Sequence, residues 1–104
     1  MVRGEEKMTE LRPAYAFMGN TLWQQYNKLA EELAEVRAAL MEYDNNPDGA
    51  KELGALAEEI VDIQYAAETL LAILGMDAEC RDTVRAVVYQ KNRARGYYDF
   101  PPEC

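Results

Sequence analysis

Two long stretches with helical spacing, separated by one strong turn, constrain this chain to a helical hairpin. The turn is Asp44–Gly49, which reads DNNPDG and consists of residues that favour turns. Before it, apolar residues recur in alternating steps of four and three, a helical period, and no segment has convincing strand signals. The pattern predicts a helix from about Thr21 to Tyr43, with Asn20 or Thr21 as its N-cap. One side of this helix carries an apolar stripe that is expected to pack against another helix. The stripe comprises Leu22, Tyr26, Leu29, Leu33, Val36, Leu40 and Tyr43.

Two further helices are predicted after the turn. One runs from about Ala50 to Leu74, and Gly75 is well placed to end it in a left-handed conformation. The other runs from about Ala78 to Arg95, with Asp77 as its N-cap and Gly96 as its end.

The fold class expected from these elements is all-α: an antiparallel helical hairpin plus a C-terminal helix, forming a helical bundle completed by oligomerisation. A chain of 104 residues is expected to form a single domain, with residues 1–20 as an N-terminal segment and residues 97–104 as a tail. Within the first segment, Met8–Met18 is expected to form a short helix near Pro13. The apolar arc of the second helix is wide, which predicts that part of it is buried against another copy of the chain.

Composition excludes several kinds of chemistry. The sequence contains no histidine and no serine, which excludes a serine nucleophile, a His-based triad and His-ligated metals. The formal charge of −8 argues against binding to nucleic acid or to an anionic membrane surface. Cys80 and Cys104 make neither a disulfide framework nor a CxxC zinc site. Met1–Glu10 is charged and lacks the apolar run of a signal peptide, so a cytoplasmic protein is expected.

Four carboxylates form two pairs, each spaced three residues apart, on the two helices of the predicted hairpin. Glu32 and Glu35 precede Pro47 by 15 and 12 residues, and Glu59 and Asp62 follow it by 12 and 15. In an antiparallel hairpin centred on that turn, all four lie at one height, roughly 18 Å from the turn at the helical rise. Spacing of three residues puts each pair on one face of its helix.

Carboxylates gathered between packed helices repel one another and lose hydration, and a divalent cation with oxygen ligands removes this repulsion. Magnesium retains waters and recruits substrate phosphates. It can polarise a phosphoryl oxygen and lower the pKa of a bound water, which supplies the nucleophile that this His-free chain lacks. The alternative is that the acids form a solvated helix face, since acidic pairs at this spacing are common on helix surfaces.

The motif EExxE at Glu31, Glu32 and Glu35, followed after 23 residues by ExxD at Glu59 and Asp62, resembles the signature of MazG-like nucleotide pyrophosphohydrolases of the all-α NTP pyrophosphatase superfamily. The resemblance implies a Mg²⁺-dependent enzyme, with Mn²⁺ as the alternative ion, that hydrolyses a nucleoside triphosphate to the monophosphate and pyrophosphate. It also implies assembly as a homodimer or tetramer. Carried over by position, Glu32, Glu35, Glu59 and Asp62 are the metal ligands and catalytic residues. Glu31 points away from the apolar stripe, which favours a surface role.

The end of the third helix, KNRARGYY, is similar to the Asn-x-x-Arg segment that helps to bind nucleotide in many members of that family. By this resemblance Lys91, Asn92 and Arg95 are expected to bind the substrate. The other interpretation is that the basic residues complement the C-terminus of the helix. Trp23 and Tyr26 are candidates for stacking on a base, although aromatic residues at this spacing more often belong to a core or an interface.

Two alternatives remain open from the sequence. The first is a phosphoribosyl-ATP pyrophosphohydrolase, which shares the fold and a similar pair of acidic helices. The second is a non-enzymatic helical module that oligomerises or senses nucleotides, for which no catalytic effect of Mg²⁺ is expected. The expected partners are a nucleoside triphosphate and the chain itself, with neither nucleic acid nor membrane.

Overall fold

The computed structural model describes residues 8–101 of the chain, and within that range it contains three α-helices and no strand. The helices are α1 (Leu22–Asn45), α2 (Ala50–Ile73) and α3 (Ala78–Ala94). The all-α class is therefore confirmed for this part, and the helix bounds differ from the predicted ones by one or two residues. The charged segment at residues 1–7 and the end of the tail, residues 102–104, lie outside the described residues.

The chain divides into two compact units, the first ending at Leu74 and the second beginning at Gly75. The first contains α1 and α2, and the second contains α3. The expectation of a single domain stays a prediction.

Helix α1 begins at a reciprocal cap. The hydroxyl oxygen of Thr21 accepts a hydrogen bond from the backbone N–H of Gln24 at 3.1 Å, and the side-chain oxygen of Gln24 accepts one from the N–H of Thr21 at 2.8 Å. This capping box satisfies two of the backbone donors that a helix start leaves without partners. The predicted N-cap at Thr21 is thus confirmed, and the DNNPDG turn ends α1 where the sequence indicated.

Helices α1 and α2 pack side by side as an antiparallel hairpin. Gln25, near the start of α1, reaches the backbone of Ala66 in the second half of α2, and Glu32 lies level with Glu59 one to two turns nearer the loop. A residue near the start of one helix can contact the end of the other only if the two run in opposite directions. The predicted hairpin is therefore confirmed.

The predicted apolar stripe of α1 is only partly covered: Leu29, Val36 and Tyr43 are half-buried, and the other four members are exposed. Leu22, Tyr26, Leu33 and Leu40 are each 45–61% exposed. The side of α1 that faces α2 lies about a quarter turn away and carries Gln25 and Glu32. The physical reason is that polar groups take up part of this side, among them the buried amide of Gln25 with its partners Asn20 and Ala66, so the exposed members of the stripe lie on an adjacent face.

The segment before α1 is not the short α-helix expected at Met8–Met18. Only Tyr15–Phe17 forms a single turn of 3-10 helix. The segment is instead tied to the hairpin by one long-range hydrogen bond, in which the N–H of Ala14 donates to the hydroxyl oxygen of Thr69 at 2.9 Å.

The C-terminal unit is organised by the two ends of α3. The carboxylate of Asp77 accepts a hydrogen bond from the N–H of Cys80 at 2.8 Å, which confirms the predicted N-cap. At the other end, Gly96 has φ +79°, a conformation that strongly favours glycine, and it turns the chain back. Tyr98 then stacks on Tyr89, with ring centroids 5.0 Å apart, so the chain folds back along the helix.

None of the helices in residues 8–101 is long and apolar enough to cross a membrane.

Candidate metal centre

Three of the four predicted acids converge between α1 and α2. Glu32, Glu59 and Asp62 each place a carboxylate oxygen within 4.8 Å of the others. Glu59 and Asp62 are one turn apart on α2, and Glu32 faces them from α1, as expected for residues at one height of a hairpin. The three oxygens are close enough to bind one cation together.

Two of these acids carry an oxygen for which the described residues provide no hydrogen-bond partner. These are the buried Oε2 atoms of Glu32 and Glu59. Buried polar atoms nearly always have a partner, and an unsatisfied carboxylate oxygen costs free energy. A hard cation with oxygen ligands matches both the charge and the missing partner. The residues present therefore fit a divalent metal such as Mg²⁺.

The carboxyl group of Glu32 lies close to other charged side chains, most of them acidic. Burial raises the pKa of its carboxyl above the ordinary value of 4.5, the neighbouring carboxylates of Glu35 and Asp62 raise it further, and Lys28 lowers it. The ammonium of Lys28 lies 3.5 Å from Oε1 of Glu32, one helical turn away. In the absence of metal, this lysine is the cation beside Glu32.

The remaining acids of the motif lie outside the tight group. Glu35 is exposed on α1 and does not belong to the three whose oxygens lie within 4.8 Å, although its charge acts on Glu32. Glu31 is exposed, in agreement with the surface role expected from its position on the helix. The structure thus brings together three of the four predicted ligands, with Glu35 beside them.

A pocket of about 220 Å³ opens directly beside the acids, and Glu32 and Asp62 form part of its wall. Pockets for drug-sized ligands typically measure 300–1,000 Å³, so this one holds only a part of a larger ligand. The wall combines apolar and aromatic groups with a few polar ones. Besides the two acids, it consists of Ala14, Phe17, Gln25, Lys28, Tyr65, Ala66 and Thr69.

The polar groups of the wall are held by hydrogen bonds. Gln25 is fully buried, its amide donates to the carbonyl of Ala66 at 3.1 Å, and its oxygen accepts from the amide of Asn20 at 2.9 Å. Thr69, 1% exposed, donates to the carbonyl of Tyr65 at 2.8 Å while accepting from Ala14. These bonds fix the wall before any ligand arrives.

Lys28 connects the pocket with the acids. Its ammonium lies 4.4 Å from the centre of the Phe17 ring, within the range of a cation–π interaction. The same ammonium faces Glu32. The pocket therefore offers an aromatic surface and a positive charge next to a group of negative ones.

The sequence alone did not assign any of these wall residues to a site. One signal was present: Gln25 and Lys28 precede Glu32 by seven and four residues, which places all three along one side of α1. Phe17 and Thr69 had no such signal, because only the folding of the N-terminal segment onto α2 brings them together.

The basic residues predicted to bind substrate lie at the end of α3, in the C-terminal unit. Lys91 and Arg95 are exposed, and Asn92 is half-buried. Asn92 has local partners. Its backbone carbonyl accepts a hydrogen bond from the N–H of Tyr97 at 3.0 Å, and its side-chain amide donates one to the hydroxyl of Tyr98 at 3.3 Å. The role of Lys91, Asn92 and Arg95 in substrate binding stays a prediction.

Trp23 and Tyr26, the other candidates for stacking on a base, do not line the pocket. They pack against each other edge to face, with centroids 5.6 Å apart, and are 75% and 52% exposed. They lie on the stripe side of α1.

Comparisons of this chain with protein-family models, with curated proteins and with solved structures found no significant match.

Proposed function

We propose that this chain binds Mg²⁺ between α1 and α2 and hydrolyses a nucleoside triphosphate to the monophosphate and pyrophosphate. The single observation that carries the proposal is the pair of buried, unpartnered oxygens of Glu32 and Glu59, in a group of three acids beside a pocket. The type of reaction is inferred from the resemblance of the acidic motif to that of MazG-like pyrophosphohydrolases.

A cation, rather than solvent, is the favoured counterpart of these acids. A solvated helix face would leave carboxylate oxygens in contact with water, whereas both Oε2 atoms are buried. Protonation of one acid is the other way to relieve the repulsion, and the raised pKa of Glu32 reflects that tendency. Near neutral pH a divalent ion relieves it more fully, because it interacts with all three carboxylates.

In the proposed reaction the acidic residues have two roles. Glu32, Glu59 and Asp62 hold the ion, and the chemistry supplied by bound Mg²⁺ is charge neutralisation and polarisation of a phosphoryl oxygen. Glu35, exposed beside the group, accepts a proton from the attacking water. The water oxygen bonds to the α-phosphorus, the bond from that phosphorus to the bridging oxygen breaks, and the electron pair leaves with pyrophosphate.

The pocket beside the acids is suited to the nucleoside part of the substrate. Phe17 and Tyr65 offer aromatic surface, and Gln25 and Thr69 offer polar atoms in fixed positions. Its volume of about 220 Å³ admits one ring system and leaves the triphosphate to the acids and Lys28.

The test is pyrophosphate release from a panel of NTPs and dNTPs, with Mg²⁺ and with EDTA. We expect metal-dependent formation of pyrophosphate and the matching monophosphate, and we expect Glu59→Gln to abolish it. Glu58→Gln is the matched control, because Glu58 is the adjacent residue and is exposed. Mg²⁺ binding measured by calorimetry separates loss of the metal from loss of chemistry.

Three outcomes contradict the proposal. Full activity of the Glu59→Gln variant would show that the acids are not the active site. Equal activity in EDTA would show that the reaction does not depend on a metal. No turnover of any NTP or dNTP would show that nucleoside triphosphates are not the substrates. Turnover of phosphoribosyl-ATP would then identify the chain as the related enzyme of histidine biosynthesis. If phosphoribosyl-ATP is not turned over either, the non-enzymatic helical module is the interpretation that remains.

A further inference from the structure

Lys28 is the only cation among the described residues that line the pocket. Its side chain is 30% exposed, and within residues 8–101 its ammonium has two partners, Oε1 of Glu32 at 3.5 Å and the Phe17 ring, whose centre lies at 4.4 Å. The distance to Glu32 is longer than the roughly 2.7–2.9 Å of a charge-assisted hydrogen bond. Since an ammonium has three N–H donors, Lys28 retains donors for a further ligand.

Lys28 loses its counter-ion when the acids bind a metal. In the metal-free protein the lysine is paired with the carboxylate of Glu32. In the proposed function this carboxylate holds Mg²⁺ together with those of Glu59 and Asp62, and a divalent ion at that place repels the ammonium. Lys28 then requires another anion as its partner. Substrate phosphates, which Mg²⁺ recruits, provide this anion beside the pocket that Lys28 lines.

Phe17 keeps Lys28 at the pocket when Glu32 no longer does. The face of an aromatic ring attracts an ammonium through its quadrupole, whether or not a carboxylate is nearby. Without this ring, the flexible side chain of Lys28 would turn toward solvent, away from the metal. Ordering it again on binding a ligand would cost free energy. The contact at 4.4 Å therefore preorganises the ammonium for an anion.

The segment that carries Phe17 is held to the hairpin on both sides of this residue. Before it, the N–H of Ala14 donates to the hydroxyl oxygen of Thr69 at 2.9 Å. After it, the side-chain amide of Asn20 donates to the side-chain oxygen of Gln25 at 2.9 Å. Both acceptors belong to buried residues of the hairpin. These hydrogen bonds fix the 3-10 turn between them, and with it the ring that faces the ammonium.

We propose that Lys28 and Phe17 form a phosphate-binding pair, in which Phe17 holds the ammonium and Lys28 exchanges Glu32 for a phosphate oxygen when the acids bind Mg²⁺. The inference rests on the proposed function, from which it takes the metal and the triphosphate. Phe17 is a positioning residue, because it acts through Lys28. The N-terminal segment is thereby required for binding phosphate and not for binding the metal.

The test is calorimetric binding of inorganic pyrophosphate to the full chain in saturating Mg²⁺, together with binding of Mg²⁺ alone. Pyrophosphate has the phosphates of the substrate without its base, so it reports on phosphate binding by itself. We expect Lys28→Met to bind pyrophosphate about 10- to 100-fold more weakly than the wild type, because a charge-assisted hydrogen bond is lost. We expect a loss of about three- to tenfold for Phe17→Leu, whose affinity for Mg²⁺ alone should stay within about twofold of the wild type.

Three further variants separate this role from a general effect on the fold. Tyr15→Leu is the matched control, because Tyr15 belongs to the same 3-10 turn and is 75% exposed, and it should bind pyrophosphate like the wild type. Lys28→Arg keeps a cation that stacks on an aromatic ring and binds phosphate, so it should recover most of the affinity. In the double variant, Phe17→Leu should add nothing to the loss caused by Lys28→Met, because the ring acts through the lysine.

Circular dichroism establishes that the variants are folded, and if Phe17→Leu is not, Lys28→Met and Lys28→Arg carry the test. Wild-type affinity for pyrophosphate in Lys28→Met overturns this proposal and leaves the metal site in place. A wild type that binds Mg²⁺ but no pyrophosphate overturns it as well. Additive losses in the double variant would show that Phe17 does not act through Lys28. A wild type that does not bind Mg²⁺ overturns the proposed function, and this inference with it.

Discussion

The amide of Gln25 donates a hydrogen bond to the backbone carbonyl of Ala66, across 41 positions of sequence, and both residues are buried. This polar contact stands where a hairpin would ordinarily have an apolar one. It fixes the register of α1 against α2, and that register is what brings Glu32 level with Glu59 and Asp62.

Replacing Gln25 with alanine is expected to destabilise the hairpin by about 1–3 kcal/mol. The change removes hydrogen bonds to Asn20 and Ala66 and leaves a cavity at a fully buried position. Urea unfolding followed by circular dichroism measures the effect. Gln64→Ala, at an exposed glutamine of α2, should stay within about 0.5 kcal/mol of the wild type. Equal stability of the two variants would contradict the role of Gln25.

Thr69→Val is expected to release the N-terminal segment from the hairpin. Valine keeps the shape of threonine but cannot accept the hydrogen bond from the N–H of Ala14, at a cost of about 1 kcal/mol. Hydrogen exchange at the Ala14 amide should become faster, since its acceptor is lost. Thr83→Val is the control, because Thr83 is exposed and bonds only to its own helix, through the carbonyl of Glu79. Unchanged exchange at Ala14 would show that Thr69 does not hold the segment.

Lys28→Met is expected to tighten Mg²⁺ binding by about two- to fivefold when no nucleotide is present. The lysine is the cation 3.5 Å from Glu32, and a partly exposed ion pair of this kind contributes about 0.2–1 kcal/mol. Calorimetric titration measures the affinity. Lys51→Met, which removes an exposed lysine near the start of α2, should leave it nearly unchanged. Weaker Mg²⁺ binding in Lys28→Met would mean that the lysine supports the metal rather than competing with it.

The stability of the metal-free protein should depend on pH through Glu32. Its pKa is raised in the folded state by burial and by the carboxylates of Glu35 and Asp62. The neutral form is therefore favoured by folding, and this stabilisation is fully present below pH 4.5 and lost as the pH rises through the raised pKa. The free energy of unfolding in EDTA should fall over that window by a smaller amount in Glu32→Gln than in the wild type.

Glu31→Gln is the control for that experiment, because Glu31 is adjacent and exposed. It should follow the wild-type dependence on pH. Identical profiles for Glu32→Gln and the wild type would contradict the assignment of the pH dependence to Glu32.

The helices were predictable because their signals are local. The DNNPDG turn, the cap at Thr21, the glycine at position 75 and the cap at Asp77 act within one turn of the backbone, and each has the predicted role in the structure. The sequence also predicted that Glu32, Glu35, Glu59 and Asp62 lie at one height, since two regular helices and one short turn leave little freedom in relative height. Three of the four, Glu32, Glu59 and Asp62, come together in the structure, and Glu35 lies outside this group.

The N-terminal segment was predicted wrongly because its conformation depends on a distant acceptor. The spacing of Met8–Met18 suggested a short helix, but the Ala14–Thr69 hydrogen bond holds this segment in an irregular conformation with one 3-10 turn. No pattern within ten or twenty residues encodes that contact.

By itself, the sequence determined three helices, their ends and, to within about one helical turn, the height of the acids, because backbone periodicity and capping are properties of neighbouring residues. Only the tertiary structure decided which side of α1 faces α2. That choice depends on a balance of free energies. Burying the amide of Gln25 and the carboxylate of Glu32 between the helices costs desolvation, and the contacts that these groups make there offset the cost. Its outcome placed the acids and the pocket on one side of the hairpin, and the exposed members of the apolar stripe of α1 on the other.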